Sequence, residues 1–342
     1  MKSAVAGKKI LITGGTGSIG SEIAKQTLID GAEKVIIFSR DDIKQFIMRD
    51  KLADNRLHTI VGDIRNLSSI ERVFNKYDID IIYHAAAMKH VVMCEEFPIE
   101  AARTNILGTQ NIIDLAMKYG TPKMITMSTD KAVYPVNVMG ATKFIAERIT
   151  LNANYISKQN QKFSCVRFGN VANSRGSVIP IYIDNLFYKK PIQITNPEVT
   201  RFIMEIPDAV KLIIKATENL HGGDIYILKM RAFKLSDLLD VILKRIGPRL
   251  KMKKEDILVK ETGLVPGEKL HEDLLSDSEC TRLYECDNMY VIYNDNDNHS
   301  KDQNIKKGNL SRYSSDDVDL ISKKQIEEII LKYLDGCLFF NH

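Results

Sequence analysis

Tryptophan is absent from the 342 residues, cysteine is scarce at five, and no apolar run is long enough to span a bilayer. Each absence excludes something. Cys94, Cys165, Cys280, Cys286 and Cys337 are odd in number and include no Cys-x-x-Cys pair, which argues against a disulfide framework or a zinc site and for free thiols in a reducing compartment. The apolar residues after Lys8-Lys9 break at Gly14, so neither a signal peptide nor a membrane span is expected. Leu338-Phe339-Phe340 is too short for one and is expected to pack on a neighbour. Neither sign of charge dominates: Lys+Arg 48 against Asp+Glu 44 leaves +4, which does not point to nucleic acid. Asp295-Asn296-Asp297 begins like a calcium loop, but Ser300 and Lys306 replace the glycine and glutamate it needs, so no metal site is expected. No internal repeat is seen. These features together describe a soluble cytoplasmic protein, long enough for two lobes.

What is present gathers around Ser128-Thr129-Asp130-Lys131-Ala132 and, beyond Pro135, Met139-Gly140-Ala141-Thr142-Lys143. The apolar run 124–127 reads as a buried parallel strand. Ile145, Ile149, Ala153 and Ile156 recur at helical spacing and predict the buried face of a helix. A carboxylate, two amines and two hydroxyls therefore collect where a strand ends and a helix begins, which is where open α/β sheets bind ligands. Taken alone, the stretch reads as well as a solvated turn; the other motifs decide.

Residues 9–12 predict a first strand, followed by Thr13-Gly14-Gly15-Thr16-Gly17-Ser18-Ile19-Gly20, a helix to about residue 30 and a second strand at 35–38. Glycines 14, 17 and 20 permit a tight turn and close approach of a pyrophosphate to the backbone at a helix N-terminus. Thr16, Ser18 and Ile19 share that turn. Strand two ends in Ser39-Arg40-Asp41 rather than in an acid. A hydroxyl and a guanidinium suit a ribose 2′-phosphate, so NADP is preferred, with Asp41 leaving NAD open. A third strand, 57–61, leads to Asp63 and Ile64, an acceptor for an adenine amino group beside a packing surface; Asp63 serves equally as a helix cap. A fourth, 79–84, ends in small Ala85 and Ala86, then Lys89 and His90, which face either substrate or solvent. A helix over 99–119 carries Asn105 in its interior, a sign of a buried hydrogen bond. The recurring strand–helix units predict an α/β fold, a Rossmann-type doubly wound parallel sheet, with a smaller C-terminal substrate-binding lobe.

The strand at 163–168 is the last simple one. Beyond it come Asn170, Arg175 and Val178 in one loop, Arg201 in another, and Gly267-Glu268-Lys269-Leu270-His271-Glu272, expected to open a helix. Arginines on separate loops suit a diphosphate. Residues 294–317 are polar and read as a long loop or arm, and 322–334 as an amphipathic helix on the small lobe. The expected division is 1–172 (with 203–228) for NADP, 173–202 and 229–290 for a nucleotide sugar, and 291–342 for the arm and last helix.

The glycine spacing resembles extended short-chain dehydrogenases/reductases. In order, Thr-Gly-Gly-Thr-Gly-Ser-Ile-Gly, Phe-Ser-Arg-Asp, His-Ala-Ala-Ala-Met-Lys-His, Ser-Thr-Asp-Lys-Ala, Arg-Phe-Gly-Asn-Val, Ser-Arg-Gly-Ser-Val, Thr-Arg-Phe and Pro-Gly-Glu-Lys-Leu-His-Glu resemble the inverting UDP-N-acetylglucosamine 4,6-dehydratases of polysaccharide biosynthesis over roughly residues 8–276. The resemblance implies a homo-oligomer, the hexamer being one form, acting on UDP-N-acetylglucosamine with NADP. It implies transient oxidation at sugar C4, removal of the C5 proton by Lys131 and protonation of the departing C6 hydroxyl by Asp130. Thr129 would stand near the C4 hydroxyl and Lys143 would hold the nicotinamide ribose. Lys89, Asn170, Arg175, Val178, Arg201 and Glu268 would bind the nucleotide sugar. Two positions depart from the pattern. Met139 stands where these dehydrogenases carry tyrosine, as in a sub-branch that couples dehydration to epimerisation, and Val265 replaces an arginine. A thioether cannot take a proton from the C4 hydroxyl, leaving Lys131 as base, then Tyr134. The rivals are an NADP-dependent epimerase or reductase and a non-catalytic nucleotide-sugar-binding protein.

Overall fold

The computed structural model describes residues 3–157, 160–293 and 305–338; Asp295-Asn296-Asp297 and Phe339-Phe340 lie outside them. Strands β1 (Lys9–Thr13), β2 (Lys34–Ser39), β3 (Leu57–Val61), β4 (Ile81–His84), β5 (Lys123–Thr129) and β6 (Lys162–Phe168) are short and rich in Ile and Val. Ile10, Ile36, Ile82 and Ile125 are wholly buried, as a parallel sheet covered on both faces requires. The order across the sheet is β3-β2-β1-β4-β5-β6, continued by Ile225–Leu228, all parallel. The expected doubly wound α/β fold is therefore present, and its strand order reverses between β1 and β4, which opens a crevice at their carboxyl ends.

Beyond Ile225–Leu228 the sheet turns antiparallel through Met289–Ile292, Leu283–Cys286 and Ile305–Lys307, making ten strands. Over residues 305–317 this corrects the polar arm expected at 294–317, of which 294–304 lie outside the described residues. Residues 305–307 pair along the sheet edge, Tyr313 packs against Phe202 and Tyr290, and Ser314 and Ser315 are fully buried. Polar composition misled because the serine hydroxyls are spent on the backbone of Glu272 and Thr200. The helix expected at 267 is also absent. Gly267 has φ +81° and residues 268–276 run through turns and extended backbone, held by Thr200, Arg201 and Ser315.

A second apolar cluster joins Ile179, Ile183, Val199, Leu238 and Ile242 to Ile326 and Ile330 of the last helix, Lys323–Leu338. The helix expected at 99–119 is continuous but carries a π-turn, Arg103–Leu107, between Pro98–Ala102 and Gly108–Lys118. No described helix is long and apolar enough to cross a membrane.

Helix Val138–Ile156 forms as expected and buries part of the expected face, with Ala153 in the core and Ile149 packed against it. Ile145 and Ile156 are exposed, whereas Met139, Lys143, Glu147 and Thr150 are buried. The polar face turns inward because each polar group finds a partner there. Glu147 takes two hydrogen bonds from Arg167 of β6, at 3.0 and 2.8 Å. Arg167 is itself 1% exposed and also donates to Glu279 (2.9 and 3.1 Å) and to the Leu274 carbonyl (2.9 Å). That ion cluster ties the segment 272–280 to the sheet.

Candidate active site

The crevice between β1 and β4 is kept open by small residues. Gly14 has φ +65°, and a Cβ there would stand 2.6 Å from the Ala86 nitrogen, so the turn after β1 needs glycine. The two strands are stitched by His84, whose ring nitrogens meet Thr13 Oγ1 at 2.7 Å and Thr109 Oγ1 at 2.9 Å. Burial lowers the His84 pKa to about 3, so the ring is neutral and structural.

A cleft of about 870 Å³ runs from this turn to the end of β5. Gly14, Thr16, Gly17, Ser18, Ile19, Gly20, Ser39, Arg40, Asp63, Ile64, Ala85 and Ala86 all line it. Ser39 Oγ accepts from Thr16 Oγ1 at 3.1 Å and from the Gln45 amide at 3.0 Å. Arg40 is loosely tethered, 4.0 Å from Asp63, with Asp41 and Lys44 beside it in the wall. Asp63 neither caps a helix nor stands free: it accepts from the Arg65 amide and guanidinium, and Asn66 caps the helix that follows.

At the other end, β5 runs through Thr129 into a single 3₁₀ turn, Asp130–Ala132. Helix Val138–Ile156 presses on that turn, since a Cβ at Gly140 would lie 2.2 Å from the Lys131 carbonyl oxygen. Thr129 Oγ1 and Lys131 Nζ both donate to Asp130 Oδ1, at 2.8 and 3.0 Å. Lys131 Nζ also lies 3.1 Å from Glu272 Oε1. Burial by itself would lower the Lys131 pKa, but the Asp130 and Glu272 carboxylates outweigh it and hold it above its usual value. Thr129, Lys131 and Lys143 line the cleft; Asp130 is fully buried behind them. Lys143 donates to the Met127 carbonyl at 2.5 Å, and burial lowers its pKa.

The remaining residues divide between two parts of the cleft. Asn170, Arg175 and Val178 line it, with Lys89 opposite. Arg175 folds over the glycine turn: its guanidinium donates to the Thr16 carbonyl, its amide donates to Ser18 Oγ at 3.3 Å, and its own carbonyl accepts from Lys89 at 2.7 Å. Arg201 stands instead beside the Lys131 cluster, paired with Glu268 at 2.8 Å. Glu268 does not line the cleft, because Arg201 and Thr195 occupy its carboxylate. Met139 is buried with Cys94 and Ala101 and forms cleft wall. Tyr134 is corrected as an alternative base. Its oxygen accepts from the Asp277 amide at 2.8 Å and it faces Lys269, outside the cleft lining. Sequence reading passed over Glu272 in favour of Glu268; the hint available was the second carboxylate in the same motif, four residues on.

The family described as polysaccharide biosynthesis protein matches residues 10–294. A Methanocaldococcus jannaschii protein named as an uncharacterized membrane protein is 43% identical over 324 residues, covering 94% of this chain and 95% of its own. A UDP-N-acetylglucosamine 4,6-dehydratase (inverting) of Campylobacter jejuni is 37% identical over 339 residues (94% and 97%). A UDP-glucose 4-epimerase of Rickettsia canadensis is 35% identical over 334 residues (95% of each). The X-ray structure of Pen from Bacillus thuringiensis superposes with a TM-score of 0.88 at 36% identity, covering 96% of this chain and 98% of that one.

Proposed function

The chain belongs to the polysaccharide biosynthesis family of extended short-chain dehydrogenases/reductases, and from that premise we propose that it is a 5-inverting UDP-N-acetylglucosamine 4,6-dehydratase that uses NADP. The observation that carries this reading is the Lys131 ammonium held 3.0 Å from the buried Asp130 carboxylate at the end of β5, with methionine at 139. An amine and a carboxyl in contact can trade one proton, which elimination across C5 and C6 requires and simple C4 inversion does not. The tautomer with neutral Lys131 and protonated Asp130 lies roughly 9 kcal/mol uphill in water; burial works against the Lys131 charge, while the carboxyl groups around it oppose that effect.

The glycine turn fits a dinucleotide, since side chains at Gly14 and Gly20 would collide with backbone where the phosphates would approach. NADP would supply the hydride acceptor for C4. Lys131 then takes the C5 proton, Asp130 gives one to the C6 oxygen, Thr129 orients the C4 hydroxyl and Lys143 holds the nicotinamide ribose; the hydride would return from the cofactor to C6 and a proton to C5 from the opposite face, leaving the cofactor unchanged. Residues 1–172 with 203–228 carry the dinucleotide in this reading, 173–202 and 229–290 carry the sugar nucleotide, and the enzyme works as a cytoplasmic homo-oligomer. The second reading, a UDP-sugar 4-epimerase, is favoured by the Rickettsia relative. Incubation with UDP-N-acetylglucosamine or UDP-glucose and NMR of the products separates them. Loss of the C6 hydroxyl marks a dehydratase, inversion without that loss an epimerase, and no change a binding protein.

Two binding predictions follow from the cleft. Arg40→Ala weakens NADP⁺ by roughly 1.5–3 kcal/mol, the range for a charge-assisted hydrogen bond, and leaves NAD⁺ little changed. Equal losses in a titration of both cofactors sink the 2′-phosphate assignment. Arg175 lies on the glycine turn and Arg201 beside Lys131, so Arg175→Ala loses affinity for NADP⁺ and Arg201→Ala for UDP and UDP-sugar. Calorimetry showing the parental UDP affinity in Arg201→Ala would remove Arg201 from the diphosphate site.

A further inference from the structure

Three carboxylates and two cations meet at the end of β5. Arg201 Nη2 is 2.8 Å from Glu268 Oε1, while its Nε stands 4.0 Å from Glu272. Glu268 is thus the closer partner of Arg201, and the Lys131 ammonium faces two carboxyl groups at 3.0 and 3.1 Å. Both are buried, Asp130 completely and Glu272 to 3% exposure. Each leaves one buried oxygen, Asp130 Oδ2 and Glu272 Oε2, without a hydrogen-bond partner. An ionised carboxylate with an orphaned oxygen is costly in a dry site, and two carboxyl groups on one cation do not both ionise readily.

We propose that Glu272 is a positioning residue acting through Lys131: it carries a proton in the resting enzyme, and in that neutral form it frees Lys131 to serve as base. The proposal rests on the dehydratase reading for the role of Lys131. With Glu272 ionised, moving a proton from Lys131 to Asp130 breaks the attraction to both carboxylates and leaves the anion at position 272 with only Arg201, 4.0 Å away, as a cation facing it. With Glu272 protonated, the same transfer ends in an amine and two carboxylic acids, with no charge among the three. One N–H bond of the ammonium breaks, one O–H bond forms on Asp130, and Glu272 keeps its proton. The charged groups facing Glu272 are Asp130 and Lys131 from the turn after β5 and Arg201 from strand Thr200–Met204; Ser315 meets only its backbone, accepting from the amide and donating to the carbonyl. Burial raises the Glu272 pKa, Lys131 and Arg201 opposing this and Asp130 adding to it, in the direction the geometry requires.

The test is the pH–rate profile of the full-length enzyme with UDP-N-acetylglucosamine for the parent, Glu272→Gln and Glu272→Asp. Glutamine has the shape of the neutral acid and no proton to lose, so the alkaline limb of kcat moves up by about one pH unit or more. KM stays near the parental value and Glu272→Asp brings the limb back. An alkaline limb at the same pH in Glu272→Gln overturns the proposal. A second readout needs neither turnover nor a variant. In the parent labelled with glutamate carrying a heavy carbon isotope in its carboxyl group, infrared spectra at neutral pH contain a protonated, isotope-shifted carboxyl band. Glu272→Gln removes that band. Its absence from the parent also overturns the proposal. A parent that has the band yet does not turn over UDP-N-acetylglucosamine defeats the dehydratase reading instead and leaves the Glu272 proton standing.

Discussion

Lys131→Ala lowers turnover by about 10²–10⁴-fold, the range for loss of a general base, and both C4 oxidation and exchange of the C5 proton with deuterated solvent fall with it. The site offers few substitutes. Met139 is a buried thioether and Tyr134 is bound to the Asp277 amide outside the cleft. Thr129 already gives its proton to Asp130, so it relays a proton only toward that carboxylate. Lys131 therefore acts first at the C4 oxygen, releases that proton to solvent through its 20% exposed side chain, and then acts at C5, with a small shift of the sugar between the steps. Met139→Tyr adds little, because position 139 packs with Cys94 and Ala101 and the cluster works without it. Removing Lys131 also leaves Asp130 and Glu272 without their shared cation, so thermal melts of Lys131→Ala and Lys131→Gln accompany the kinetics. A folded Lys131→Ala enzyme that still forms reduced cofactor at a near-parental rate would mean that another group takes the C4 proton. His90, in the cleft wall, is then the next to replace.

Arg167→Met destabilises the fold by roughly 3–5 kcal/mol at neutral pH, as expected when one partner of a buried ion cluster is removed. The guanidinium is the cation paired with both Glu147 and Glu279, the Ser276 amide adding one bond to Glu279, and methionine keeps most of its bulk but not its charge or donors. The pH dependence has a definite sign. Burial acts to raise the Glu279 carboxyl, yet the Arg167 charge and hydrogen bonds hold it below its usual value. Its contribution is therefore present above the pKa of the unfolded chain, near about 4.3, and is lost as pH falls through the lower folded value. In Arg167→Met the orphaned carboxyls favour protonation, so the deficit against the parent is largest near neutrality and shrinks toward about pH 5. Urea unfolding of both proteins at the two pH values measures this. A deficit below about 1 kcal/mol, or one that does not change with pH, would show that the cluster is not the tie between segment 272–280 and the sheet.

What the sequence disclosed was local. The glycine turn, strands one to six and the Asp130-Lys131 pair each occupy a few consecutive residues whose spacing carries the meaning, and the sheet is built from them. Glu272 escaped because its role depends on a contact with Lys131 across a long stretch of chain, and being the second carboxylate of its motif does not disclose that contact. The buried face of helix Val138–Ile156 was only half legible for a related reason, Ile149 and Ala153 packing inward as expected. Apolar periodicity identifies a core face only when the core is apolar, and here Lys143 and Glu147 turn inward to partners on β5 and β6 while Ile145 and Ile156 face outward. Residues 305–317 looked unstructured because buried serines that satisfy backbone groups have the composition of a loop.

Asn105 sits in the π-turn at Arg103–Leu107, and its side chain accepts from the Met88 amide at 2.8 Å, donates to the Met88 carbonyl at 3.0 Å and donates to Thr142 at 3.0 Å. That residue pins the loop after β4, which forms a wall of the cleft. A π-turn holds one residue more than regular helix, and each helical residue advances the face by roughly 100°. Deleting a single residue there would let the helix become regular while swinging Asn105 away from Met88 or dragging Thr109 away from His84. Chain length in this segment is thus under tighter constraint than side-chain identity. Within the family, substitutions should accumulate along this helix where insertions and deletions do not.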